Sequence, residues 1–202
     1  MTFARRIVPL LLFVAAAGHA LGQEIVAEFT GNGLSNTRPF TVRNGWEIQW
    51  SANGEIFQVY VFDLAGELVG VAANQMGPGS GTSFNARGGT YYLQVNAMGS
   101  WAVRVVQLPA GSASQVTAPL ELEGDGTQNT RPFSVAGPWE IRWTADGDLF
   151  QVYVFSADGE LIGVAANQMG AGGGSSFQPR GGDYYLQVNA MGAWSLSIVP
   201  LD

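Results

Sequence analysis

The feature that most constrains this chain is a second copy of itself. Residues 31–108 align onto 124–201 at a constant offset of 93 without insertion or deletion, and roughly 50 of those 78 positions are identical. NTRPF recurs at Asn36 and Asn129, FQVYVF at Phe57 and Phe150, GVAANQMG at Gly70 and Gly163, and YYLQVNAMG at Tyr91 and Tyr184. A period this long repeats whole domains, since solenoid units run at about 20–50 residues. Between the copies, Pro109–Gln115 is a small-residue stretch of the kind that forms connectors. The expected organisation is a signal peptide over 1–22, a first domain over 23–108, a linker over 109–115 and a second domain over 116–202.

Each copy reads as about eight short strands punctuated by turn signals, with no 3.6-residue periodicity outside the N-terminal segment. In Trp46-Glu47-Ile48-Gln49-Trp50 the apolar side chains share one face, and Glu47 and Gln49 take the other. The same alternation sends Phe57, Val59, Val61, Tyr91, Leu93, Val95 and Ala97 inward and Gln58, Tyr60, Phe62, Tyr92, Gln94 and Asn96 outward. Turns are expected at Asn44-Gly45, Asn53-Gly54, Ala65-Gly66, the run Gly77 to Gly81, Gly88-Gly89 and Gly99. The stretch VAANQM after Gly70 is too short for a helix and reads as strand or loop. Strands with one wet face predict an all-β chain of two tandem antiparallel β-sandwiches, jelly-roll or Greek-key in order.

The N-terminus has the layout of an export signal. Arg5-Arg6 precede an apolar run from Ile7 to Ala17, and Ala20 and Gly22 are spaced for cleavage before Gln23. The expected location is therefore secreted or periplasmic, with no transmembrane segment in the mature chain. The chain has no cysteine and no lysine, and its one histidine, His19, lies in the leader. This excludes disulfides, Ser-His-Asp and Cys-His catalysis, Schiff-base lysines and histidine-held metals in the mature chain. A net charge of −7 provides no field for phosphates, so nucleic acid is not an expected partner.

No cofactor is expected. Calcium is the one ion the turns could serve, through Gly31-Asn32-Gly33, Gly124-Asp125-Gly126 and Asp146-Gly147-Asp148. Glutamates kept in both copies, Glu47/Glu140 and Glu67/Glu160, leave a carboxylate hydrolase as a third reading, against the simpler one of solvated surface carboxylates. Arg87 and Arg180, each before a Gly-Gly pair, read as turn caps or partners of a nearby carboxylate. The candidate binding residues are the outward polar positions both copies retain: Gln58, Tyr60, Tyr92, Gln94 and Asn96, with Gln151, Tyr153, Tyr185, Gln187 and Asn189. Aromatic rings beside amides could stack on sugars and bond their hydroxyls. Cross-strand pairing within the sheet, or a recent duplication, would preserve the same residues.

The run Gly88-Gly89-Thr90-Tyr91-Tyr92-Leu93-Gln94-Val95 resembles the closing strand of the bacterial pre-peptidase C-terminal domain family. Thr37-Arg38-Pro39-Phe40-Thr41-Val42 and Phe57-Gln58-Val59-Tyr60-Val61-Phe62 followed by Gly66 are similar to its earlier strands, although Ile56 and Leu149 stand where that family has an aspartate. The resemblance implies a β-sandwich accessory domain. Together these readings predict an exported, non-catalytic binding or surface-associated module for carbohydrate or extracellular matrix. Its expected partner is a polysaccharide or an extracellular or periplasmic protein. The alternative is a structural or assembly protein whose repeats pack on each other or on a partner.

Overall fold

Alternating apolar positions need a second layer to cover them, and each repeat supplies that layer from its own long strands. The computed structural model describes residues 23–201, and no helix occurs among them. The expected signal peptide, residues 1–22, lies outside the described residues. One sheet contains β1 (Glu24–Asn32), β2 (Ser35–Asn36), β3 (Phe40–Val42), β4 (Trp46–Asp63), β5 (Leu68–Met76), β6 (Gly79–Asn85) and β7 (Gly89–Gln107). The other contains β8 (Ser114–Gln115), β9 (Leu120–Asp125), β10 (Gln128–Asn129), β11 (Phe133–Val135), β12 (Trp139–Ser156), β13 (Leu161–Met169), β14 (Gly172–Gln178) and β15 (Gly182–Pro200). The chain is two tandem antiparallel β-sandwiches.

Strands β4 and β7 run antiparallel over their full length, from Trp46 opposite Gln107 to Asp63 opposite Tyr91, with one register break between Gly54 and Phe57. Before the break β4 lies between β6 and the second half of β7; after it, between β5 and the first half of β7. The two layers are thus joined by strands that pass through both. A Cβ on Gly54 would lie 1.7 Å from the Met98 carbonyl oxygen, and one on Gly99, at φ +140°, would lie 2.2 Å from the Asn53 oxygen. Only glycine admits so close a backbone approach. Strands β12 and β15 repeat this bend at Gly147 and Gly192.

Here the sequence expectation is corrected. Asn53-Gly54 and Gly99 were read as turns, which split two long strands into four; they mark a bulge, where the chain bends without reversing. Similarly, the reversal in the Gly77 to Gly81 run is confined to Gly77-Pro78, and the remaining glycines belong to β6. Gly81 lies against the Trp50 indole, and a Cβ there would come within 2.7 Å of Cζ2. VAANQM is strand, within β5.

Inside the first sandwich, Phe57, Val59, Val61, Leu93 and Val95 are fully buried, as the alternation predicts. Each such side chain contributes about 1.5–3 kcal/mol relative to exposure. Trp46 packs between Phe40 and Tyr91 and donates from Nε1 to the Arg87 carbonyl at 2.9 Å. Trp139 repeats this with Phe133, Tyr184 and the Arg180 carbonyl. The connector is held down at its end: β8 pairs parallel with β11, and the Val116 amide donates to Ser134 O at 2.9 Å.

Candidate functional site

The ten candidate binding residues fall on equivalent faces of the two copies, directly opposite one another across β4 and β7 and across β12 and β15. Gln58 faces Asn96, Tyr60 faces Gln94 and Phe62 faces Tyr92; Gln151 faces Asn189, Tyr153 faces Gln187 and Phe155 faces Tyr185. Four of the ten, Gln58, Asn96, Gln151 and Tyr153, bond through their side chains within the sheet. Asn96 donates to Gln58 at 2.9 Å, Gln58 to Asn74 at 3.1 Å and Gln151 to Asn167 at 3.2 Å, while the Tyr153 hydroxyl reaches Gln151 at 3.4 Å. Tyr92 stacks on Phe62 with ring centres 5.5 Å apart, and Tyr185 on Phe155 at 5.2 Å. Tyr185 departs from the expectation of an outward surface residue. It is 8% exposed, covered by the first repeat.

Glu47 departs further. Read as solvated, it is fully buried, because the second repeat closes over it. Arg131 donates from Nε and Nη2 to its two oxygens at 2.5 and 2.9 Å, and Gln49 adds a third bond at 2.9 Å. Hydrogen bonding to Glu47 in turn raises the pKa of Arg131. On either side of Glu47 along the register lie Phe84 and Val106. These two pack with Ala86 and Leu108 against Tyr185 and Phe155. Asn129 donates from Nδ2 to the Phe84 carbonyl at 2.8 Å and from its backbone to Ser83 Oγ at 3.2 Å, and the Thr127 amide reaches Asn74 O at 3.1 Å. The bonds from Arg131, Asn129 and Thr127 all join the two copies. Asn129 and Arg131 belong to the repeated NTRPF motif, so repetition was a usable signal; their role in joining the copies was not visible in it.

Along this seam runs a cleft of about 210 Å³. The residues lining it include Trp46, Tyr91, Phe155, Tyr185, Asn129, Gln187 and Arg87. Arg87 is the one charged group among the described residues lining the cleft. Among the described residues its side chain pairs with no carboxylate. Its carbonyl holds the turn, through Trp46 Nε1 and the Tyr91 hydroxyl, and its guanidinium makes one long bond, 3.4 Å, to the Gly159 carbonyl. Burial pushes the Tyr185 phenol up to about 12, with the Arg87 charge pulling the other way, and burial likewise raises Tyr91. Asn129 Oδ1 is buried and has no hydrogen-bond partner among the described residues.

Asp146-Gly147-Asp148, read as a turn that could serve calcium, lies inside β12, where the strand bends. Among the described residues no three His, Cys, Asp or Glu side chains gather closely enough to hold a metal.

No family model and no curated protein matches the chain. Among solved structures it is similar to the PBSX exported protein XepA (7% identity over 87% of this chain and 86% of that one, TM-score 0.31). It is similar also to a variant oxalate decarboxylase of B. subtilis (10% identity, 85% and 70%, 0.27) and to a cupin 2 conserved barrel domain protein from Leptotrichia buccalis (9% identity, 88% and 91%, 0.27). At these values no activity passes from them to this chain. The pre-peptidase resemblance rests on its quoted residues alone.

The functional expectation from sequence is corrected here. Cupin-type barrel proteins, a decarboxylase among them, stand where non-catalytic modules for carbohydrate or matrix were expected. The polar face that carried the expectation is bonded to itself at Gln58 and Asn96 in one copy and at Gln151 and Tyr153 in the other and, at Tyr185, lies inside the seam. The structural-protein alternative and the Glu47-based hydrolase are set aside with it.

Proposed function

We propose that the seam cleft binds a small aromatic acid carrying a hydroxyl or amino donor. The carrying observation is a cleft whose one charge among the described residues is the Arg87 guanidinium, lined by aromatic residues and by Asn129, whose buried Oδ1 has no hydrogen-bond partner among the described residues. A buried acceptor left unpaired costs about 1–3 kcal/mol, and a ligand donor relieves that cost. Arg87 supplies the complement to a carboxylate, through charge-assisted hydrogen bonds. Aromatic walls favour a ring, which they can meet edge-on or stacked. The volume, below the roughly 300 Å³ where drug-sized pockets begin, suits one ring with its substituents.

Titration calorimetry with 4-hydroxybenzoate, with its uncharged amide and with benzoate separates the three requirements. The hydroxy acid binds tightest, and loss of either the charge or the donor weakens binding about tenfold, close to 1.4 kcal/mol. Arg87→Gln brings the hydroxy acid down to the level of its amide without changing the thermal melt, since this side chain is exposed. Chromatography of the recovered ligand registers any conversion. Absence of heat with all three compounds, or undiminished affinity in Arg87→Gln, would sink the proposal.

A further inference from the structure

The contact between the repeats joins two different faces, and each repeat carries both. The first repeat contributes the row Phe84–Glu47–Val106 with Ser83 and Leu108; the second contributes Arg131, Asn129 and the stacked pair Phe155–Tyr185. At the offset of 93, the second repeat owns the same receiving row, Phe177–Glu140–Val199, in the same register, with Ser176 and Leu201. The first repeat owns the same inserting set, Arg38, Asn36 and the stacked pair Phe62–Tyr92.

Within one chain these second sets are uncovered. Phe84 is 2% exposed and Phe177 60%; Leu108 is 5% exposed and Leu201 36%. On the inserting side Thr127 is 6% exposed, and its counterpart Leu34 is 69% exposed. The second repeat exposes further apolar side chains, Ile162 and Val164 among them. Charge is matched as well. Glu140, its carboxyl held below the usual range by the Ser175 hydroxyl and by Arg142, is an anion at the free end. Arg38 is an exposed cation at the other.

We infer that a second copy of this chain docks head-to-tail, its first repeat seating Arg38, Asn36 and Tyr92 on Phe177, Glu140 and Ser176 as the second repeat seats Arg131, Asn129 and Tyr185 on Phe84, Glu47 and Ser83. A contact between unlike faces does not terminate itself; it propagates as an open filament or closes as a ring. The contact describes how copies meet and assigns the chain no structural role.

Sedimentation of the mature chain across a wide concentration range reads this directly. The parent grows in mass with concentration; Phe177→Asp and Arg38→Glu each stay monomeric, folded by far-ultraviolet spectrum because both sites are exposed. Mixed in equal amounts, the two variants form a dimer and nothing larger, since each keeps one intact face. The absence of native cysteine permits a second readout. Ser176→Cys with Asn36→Cys gives a ladder of covalent oligomers on mild oxidation, whereas Ser83→Cys with Asn129→Cys, whose parent residues are bonded within the chain, closes internally. A parent monomeric at millimolar concentration overturns the inference. So does a dimer lost in Phe177→Asp and kept in Arg38→Glu, which would mean two like faces meeting.

Discussion

Glu47 and Glu140 are the same residue in nearly the same local sequence, with Gln49 in one copy where the other has Arg142, yet one is fully buried beneath Arg131 and the other keeps part of its surface, held by Arg142 and Ser175. A buried carboxylate is tolerated only where its oxygens are bonded, and removing its partner costs about 3–5 kcal/mol. Tyr185 shows the same dependence on surroundings through its proton. In the fold its pKa is raised to about 12 by burial, against 10.0 in the free side chain. The raised value favours the neutral phenol in the native state. Its contribution is therefore intact below pH 10 and drains away toward pH 12, where the unfolded chain ionises first. At about 1.4 kcal/mol per unit the loss is about 2–3 kcal/mol. Urea midpoints below pH 10 and near pH 12 should show this loss in the parent and a smaller one in Tyr185→Phe. Equal losses in the two proteins would remove Tyr185 as the cause.

At the scale of the strand, inward and outward faces were legible because side chains alternate by geometry alone. Strand ends were not. A glycine before a reversal and a glycine at a bulge look alike in sequence, and the difference lies in what stands opposite. Gly45, at φ +74°, has nothing within 4 Å of its missing Cβ, whereas Gly99, at φ +140°, has the Asn53 oxygen at 2.2 Å. Gly45→Ala is expected to cost about 1 kcal/mol, from backbone strain alone. Gly99→Ala adds a clash between backbones that cannot yield without opening the bend, and is expected to cost about 3 kcal/mol or more. Chemical denaturation of the two variants compares them, and equal costs would mean that the bend at Gly54 and Gly99 is not held by close approach. The candidate face was half legible for the same reason. Period two placed Gln58, Tyr60, Tyr92, Gln94 and Asn96 on one side, but only the pairing of β4 with β7 shows that Gln58 and Asn96 bond each other.

Across the whole molecule, position in the pair decides what each duplicated residue does. Phe84 and Phe177 occupy equivalent places in β6 and β14, but the second repeat covers only the first of them. Phe84→Ser is expected to destabilise by about 3–5 kcal/mol, as for other large buried side chains reduced to small ones. Phe177→Ser, measured at dilution, should stay within about 0.5 kcal/mol of the parent. Calorimetric melts of the two variants read the difference, and matching shifts would deny the asymmetry of the seam. The sequence by itself determined that there are two copies, that both are all-β, and which side chains enter each core, because duplication and alternation are properties of the chain that precede any contact. Only the tertiary structure decided that Glu47, Phe84 and Tyr185 are interior, that Arg87 and Asn129 share a cleft, and that Phe177 and Arg38 stand open. Those facts depend on how one repeat lies against the other, and burial across an interface leaves no period in the residues that make it.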